Sequence, residues 1–269
     1  MKLHIVPASR GLQWVKLGIQ TFFRQPLALS GLFFMFLAVI SVLSIVPIIG
    51  SALALTLLPG ATLGLMAATR EASSGNFPMP LVLISAFRAG RQQARAMLTL
   101  GGLYALGFVV VLACSALVDG GKFAKLYLLG GAMTVETLQE GDFQMAMLLA
   151  SVLYMPLSLL FWHAPALVHW HGTPPVKSLF FSFVACLRNF WAFAVYGIVW
   201  MGVFLTFGII MAILASFFGS TEMVATMLYP AAMLMAAMFF TSIYFTFLDS
   251  FATTQGEDSH DTALPARNN

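Results

Sequence analysis

Charge is the scarcest commodity in this sequence. Only 9% of its 269 residues are Asp, Glu, Lys or Arg, while 60% are hydrophobic; soluble domains carry about 25% charged residues. A water-soluble fold of this length could not hide so much apolar surface, so a single polytopic membrane domain is expected. Cysteine is nearly absent. Cys114 and Cys186 make no disulfide framework and no cysteine metal site. The topology below also puts them near opposite membrane faces, too far apart for a bridge that needs Cα atoms within about 7 Å.

Two further absences narrow the function. From Leu27 to Leu248 the predicted spans contain no Asp, Glu, Lys or Arg. Ion-coupled pumps and transporters carry such groups facing a central pathway, so a carboxylate relay for protons or sodium is not expected. Passage of an apolar or lipid-like substrate along a groove of Ser, Thr, Tyr and Gly remains compatible with that absence. The chain also shows no nucleophile beside a base, no phosphate-binding loop and no paired carboxylates, so an enzyme is not expected. With a net charge of +3 and basic residues dispersed between spans, nucleic acid is not an expected partner.

What is present is a set of apolar runs long enough to cross a hydrocarbon core, which takes about 20 helical residues. They are Leu27–Ile49, Ser51–Ala68, Met97–Val118, Met145–His169, Phe190–Phe218 and Met223–Leu248. The second is short and holds "LPGATLG" at its centre, so it reads either as a full span or as a re-entrant segment. The charged region running to Arg24, followed by an apolar run longer than a signal-peptide core of about 7–15 residues, argues for a retained first span.

Ahead of that span, "RGLQWVKLGIQTFFR" has Leu12, Val15, Ile19, Phe22 and Phe23 on one helical face. Gln13, Lys16, Gln20 and Arg24 lie on the other. The spacing predicts an amphipathic helix lying in the membrane interface, ended by Pro26. A similar pattern precedes the third span in "PLVLISAFRAGRQQAR". There Arg88, Arg91, Gln92 and Arg95 oppose Leu83, Phe87 and Gly90. A weaker one, "PPVKSLFFSFVACLRNF", ends at Arg188 before the fifth span. Three units of amphipathic helix plus spanning hairpin describe the chain. The tail 252–269 is polar and reads as a separate disordered segment after a helical domain over 1–251.

Of the thirteen Lys and Arg residues, eleven fall in the amino-terminal region, the Thr69–Ala96 and Trp170–Asn189 loops and the tail. The positive-inside rule makes that side cytoplasmic, with both termini inside. The longest loop on the other side, Asp119–Gln144, is mildly acidic, and its "FAKLYLLGGAM" is apolar enough to dip against the bilayer.

His163, His169 and His171, with Trp162 and Trp170, gather at the end of the fourth span. Gaps of six and two residues do not match the three- or four-residue spacing of helical metal ligands, so no metal or cofactor is expected and an interfacial aromatic belt is the reading. The methionine-rich "MLYPAAMLMAAMFF" reads as flexible apolar filler. Gly60 and Gly64 allow close helix approach. Lys16, Arg24, Arg88, Arg91, Arg95 and Arg188 are the candidate contacts for lipid head groups, anionic ones above all.

Arg10, Gly11, Trp14, Gly18, Phe22 and Pro26 spell R-G-x-x-W-x-x-x-G-x-x-x-F-x-x-x-P. Together with "LPGATLGLMAATREASSGNFP", they resemble an uncharacterised family of six-helix proteobacterial inner-membrane proteins along nearly the whole chain. The layout is similar, more distantly, to the membrane domain that precedes some glycerophosphodiester phosphodiesterases; that domain carries no catalytic residues. The resemblance implies an inner-membrane location and a fold, and no activity.

The sequence therefore describes an all-α polytopic bundle of about six transmembrane helices with cytoplasmic interfacial helices. The expected role is non-enzymatic binding of lipids, of a membrane protein partner or of a second copy. A small permease or lipid translocator is the alternative.

Overall fold

Residues 3–46, 48–130, 134–218 and 221–251 are described by the computed structural model; the tail expected to be disordered lies outside them. The elements run α1 (Arg10–Arg24), α2 (Pro26–Ser44), α3 (Ile49–Ser73), a 3-10 turn (Pro80–Ile84), α4 (Ser85–Arg88) and α5 (Arg91–Asp119). They continue as α6 (Lys122–Leu129), α7 (Val135–Gln139), α8 (Gly141–Phe161), α9 (Ala164–His171), α10 (Pro175–Arg188), α11 (Phe190–Phe218) and α12 (Thr221–Phe251). Six of the described helical stretches are long and apolar enough to cross a membrane: α2, α3, α5, α8 with α9, α11 and α12. The protein is an all-α polytopic bundle, with no strand among the described residues.

The second span is a continuous helix of 25 residues with Pro59 inside it. At 1.5 Å per residue it is about 37 Å long, enough to cross. The fourth span breaks at Trp162–His163, where α9 restarts with proline in its first turn. The broken turn is repaired from outside: the His163 amide donates to Ser182 Oγ at 2.9 Å, and that hydroxyl donates to the Leu159 carbonyl at 2.8 Å. In hydrocarbon such substitutes are obligatory for freed backbone groups.

Three hairpins, α2–α3, α5–α8 and α11–α12, each follow a short non-spanning element, and these elements are handed round a ring. α1 packs on α11 and α12, the 3-10 turn with α4 packs on α3 and α5, and α10 packs on α8 and α9. Each interfacial segment thus packs on the hairpin before it in cyclic order, and α1 closes the circle on the last hairpin.

The closing seam is built from the residues of the R-G-x-x-W-x-x-x-G-x-x-x-F-x-x-x-P pattern. A Cβ on Gly11 would stand 2.2 Å from the Ala192 carbonyl oxygen, and one on Gly18 would stand 2.4 Å from Ser242 Cβ. Only glycine lets α1 lie this close to α11 and α12. Trp14 and Phe22 are buried on the same face. Arg10 donates through Nε and one terminal nitrogen to the two Asp249 oxygens, each at 2.7 Å, and the Trp14 indole N–H donates to Asp249 Oδ2 at 2.7 Å. Pro26 opens α2, where its missing N–H costs nothing.

Two sequence expectations are corrected here. The apolar face of α1, expected to rest on the membrane, is divided: Val15 and Phe22 are buried against protein because the helix docks through Gly11, Trp14 and Gly18, whereas Leu12 and Phe23 are exposed, where lipid would cover them. "PLVLISAFRAGRQQAR" is not one amphipathic helix. Gly90, at φ 111°, breaks it, so Arg88 ends α4 while Arg91 and Arg95 begin the third span. Gly60 receives Phe87 and, 3.4 Å from where its Cβ would stand, Met97 of the third span, and Gly64 receives the Leu83 backbone.

Asp249→Ala is expected to lower unfolding stability by about 2–3 kcal/mol, because it strands a guanidinium and a buried indole N–H together. Asp249→Asn, which keeps an acceptor oxygen, should cost clearly less. Thermal unfolding of both variants in one detergent measures the order.

Candidate functional site

The two ends of the bundle differ. At the end holding α1, α4, α9 and α10, polar ties close the helices together. Gln25 Nε2 donates to the Asn76 carbonyl at 3.0 Å, joining α1 to the loop after α3. Gln93 Nε2 reaches the carbonyls of Val168 and His169 at 2.9 and 2.7 Å, joining α5 to α9. Asn189 accepts from the Val6 amide at 2.9 Å and donates to the His4 carbonyl at 3.1 Å, while the His4 amide donates to the Ser250 carbonyl at 3.0 Å. Beneath these ties Leu63, Met66, Met97 and Leu100 are fully buried, so no passage opens there.

Around this closed end lie all six candidate head-group contacts. Lys16 and Arg24 are on α1, Arg88 ends α4, Arg91 and Arg95 are in the opening turns of α5, and Arg188 is the last residue of α10; every one is exposed. None takes part in either ion pair found among the described residues, Arg10–Asp249 and Lys122–Glu140. Arg70, on the same end, lies over the Trp170 ring at 5.6 Å. Arg24 and Arg188 sit at helix C-termini, where positive charge is favoured. Arg91 and Arg95 sit at the N-terminus of α5, where it is not. No side chain caps that N-terminus, whose capping residue is Gly90. Three arginines beside uncapped helix N–H groups make a position that calls for an anion.

The opposite end carries a cleft of about 590 Å³. Its walls are the second half of α2 and the facing sides of α3, α5 and α8, and α6 lies across it. It reaches Leu58 and Tyr104, near the middle of α3 and α5. There the Tyr104 and Tyr154 hydroxyls meet at 3.1 Å and the Tyr104 ring meets Phe161 edge-on at 5.0 Å. Asp119 holds α6 in place by accepting from the amides of Gly121 and Phe123 at 2.8 and 2.6 Å. The Lys122–Glu140 pair joins α6 to the start of α8, and that carboxylate raises the Lys122 ammonium above its ordinary pKa.

His163 is not part of an interfacial belt. It is fully buried between Phe193, Phe247 and Phe251, with neither ring nitrogen hydrogen-bonded among the described residues. His169 and His171 pack separately against Trp170 and Phe247. No metal-holding cluster of His, Cys, Asp and Glu occurs among the described residues, and both cysteines are free.

The sequence reading missed Asp249 and the tyrosine pair. Asp249 lies one residue beyond the last predicted span; its signal was Arg10, which falls beside Trp14 rather than on the polar face. Tyr104 and Tyr154 are 50 residues apart, with no local pattern to join them.

The chain is 40% identical over 258 residues to a probable inner membrane protein of Burkholderia thailandensis, covering 95% of this chain and 96% of that one. No family model matches the chain, and no solved structure matches it. The likeness in layout to the phosphodiesterase membrane domain therefore rests on the sequence alone.

His163→Leu should leave thermal stability unchanged or raise it, because an unpartnered buried imidazole is exchanged for an apolar side chain of similar size. Melting of the purified variant beside the unsubstituted protein decides; a drop of several degrees would mean that the imidazole has a partner.

Proposed function

The chain belongs to the family of that probable inner membrane protein, and from this premise we propose that it is a non-enzymatic protein that binds anionic lipid head groups on the cytoplasmic side of the inner membrane. Membership and the six apolar helices make it a multi-pass inner-membrane protein. Its orientation follows from the asymmetry of basic residues: eleven of thirteen belong to the closed end or to segments continuous with it, which puts that end and both termini inside.

The observation that carries the reading is the cluster of Arg88, Arg91 and Arg95 around the uncapped start of α5. Unpaired cations at the positive end of a helix are relieved by an anion, and the phosphates of the inner leaflet stand at that depth. Each basic residue near such a surface contributes about 1 kcal/mol. Lys16, Arg24 and Arg188 extend the same rim around the bundle.

The second reading, translocation of a lipid-like molecule, draws on the cleft at the outer end. Against it stand the packed layer below the cleft and the polar ties across the closed end, which would have to part for a substrate to pass. An enzyme would need convergent polar groups, and on the cleft wall the serine hydroxyls are turned to backbone carbonyls and those of Tyr104 and Tyr154 to each other.

Replacing Arg88, Arg91 and Arg95 together by glutamine should reduce anionic lipid retained through purification by about tenfold, read by native mass spectrometry. Replacing Lys122 and Lys125 should not. Equal retention in all three proteins would remove the reading.

Orientation is tested separately, in a background lacking Cys114 and Cys186. A membrane-impermeant thiol reagent applied from outside should label Glu140→Cys and leave Lys177→Cys unlabelled. Both positions are exposed, whereas neighbouring Ser178 is fully buried and would resist labelling from either side.

A further inference from the structure

The geometry points to the outer cleft as a binding site for one acyl chain of a membrane phospholipid, admitted sideways between α2 and α8. This site is distinct from the basic rim and does not depend on it.

The chemistry of the wall selects the occupant. The lining has no Asp, Glu, Lys, Arg or His, so a charged solute has no counter-ion there. Its hydroxyls, that of Tyr127 apart, are already engaged. Ser44 and Ser151 donate to the carbonyls of Ile40 and Met147 in their own helices, both at 2.8 Å, and Ser51 donates to the Leu128 carbonyl at 3.3 Å. Tyr104 and Tyr154 bond each other. Ordered water would need two to four polar partners per molecule, and a wall spent in this way offers few. The volume lies within the range of about 300–1,000 Å³ typical of small-molecule pockets. Hydrocarbon is what such a space takes.

The geometry selects the source and the route. α2 packs on α3 and α12, and α8 packs on α5 and α10; the cleft lies between their facing sides. The residues at its edge, Ser44 and Ile45 on one side and Ser151 and Tyr154 on the other, are all exposed. They belong to or adjoin spanning helices, so the edge opens to lipid and not to water. α6 covers the aqueous side, tied down by the Ser51–Leu128 bond and by Asp119. A chain therefore enters from the bilayer, as part of a lipid already there. The Tyr127 hydroxyl on α6 lines the cleft with no protein partner among the described residues, and it is placed to meet the ester end of the chain.

The test uses the full chain in nanodiscs containing a phosphatidylglycerol with a diazirine near the end of one acyl chain; cross-linked peptides are mapped by mass spectrometry. Cross-links are expected at α3 around Leu58 and α5 around Tyr104, at least fivefold above those on the lipid-exposed outer half of α11. Ala150→Trp should abolish the cleft cross-links and leave those on α11 unchanged. Should that variant fail to fold, Ser151→Phe narrows the edge from an exposed position and should reduce them at least threefold. Equal labelling of cleft and α11, or cleft labelling indifferent to both variants, overturns the site. Labelling by a diazirine free fatty acid but not by the phospholipid overturns the phospholipid as source.

Discussion

Asp249 is the one carboxylate among the described residues that pairs with an arginine, and the architecture depends on how it is held. A carboxylate within a membrane helix is expensive unless paired. Here both oxygens are occupied, by a forked contact from Arg10 and by the Trp14 indole. The forked geometry makes the strongest kind of charge-assisted contact. It stands at the last turn of α12, where the Arg10 side chain keeps partial access to solvent, so the desolvation cost is smaller than at mid-bilayer. The pair fixes one end of α1 against α12, while Gly11 and Gly18 let the rest of that helix lie flat on α11 and α12. Without this clamp α1 would be an ordinary amphipathic helix resting on lipid. With it, the first unit is latched to the last and the ring of hairpins closes.

Closure at one end accounts for the difference between the two ends. The interfacial segments all lie at the basic end, so their packing and their polar ties draw the helices together there. The other end has only α6 and α7 to cover it, and the space between α2 and α8 stays open. One constraint thus produces both features with functional meaning. The rim of arginines is displayed by the interfacial segments and by the opening turns of α5, and the cleft is left where no interfacial segment fills the gap.

Much of this was legible in the sequence because a bilayer imposes simple rules. Six spans, the helix α1 and the gathering of basic residues on one side follow from run length, periodicity and counting. The second span emerged as a full helix even though Pro59 and Gly60 left its character open. What was not legible came from contacts between distant segments. Leu12 and Phe23 look identical to Val15 and Phe22 on a helical wheel; only the position of the partner helices decides which of them is buried. Arg88, Arg91 and Arg95 kept a helical spacing across a break at Gly90, because a periodicity of three and four residues cannot register a change of chain direction. His163 looked interfacial beside Trp162, yet the break in the fourth span turned it into the aromatic core. The cleft draws on five elements, so no stretch of sequence announces it.

The distribution of interhelical hydrogen bonds bears on which half of the molecule can adapt. Many hydroxyls in the spans donate to carbonyls of their own helix, as Ser30, Thr62, Thr206 and Thr241 do, and add nothing to association between helices. Bonds that do cross between helices concentrate in the basic half. There Ser242 receives both the Tyr196 hydroxyl and the Trp200 indole at 2.7 and 3.2 Å, and Thr246 receives the Trp162 indole at 3.0 Å. Beyond the Tyr104–Tyr154 pair at mid-depth and the ties that hold α6 through Ser51–Leu128 and Lys122–Glu140, the spanning helices of the outer half meet through van der Waals packing, to which lipid is a ready alternative partner. In α11 the window that would cross the membrane is only 6% buried, so lipid already covers most of that helix. Where lipid and protein make equally good contacts, replacing one by the other costs little. The cleft lies in that half, so its walls can close on a chain or part from it while the clamp at Asp249 keeps the basic end intact.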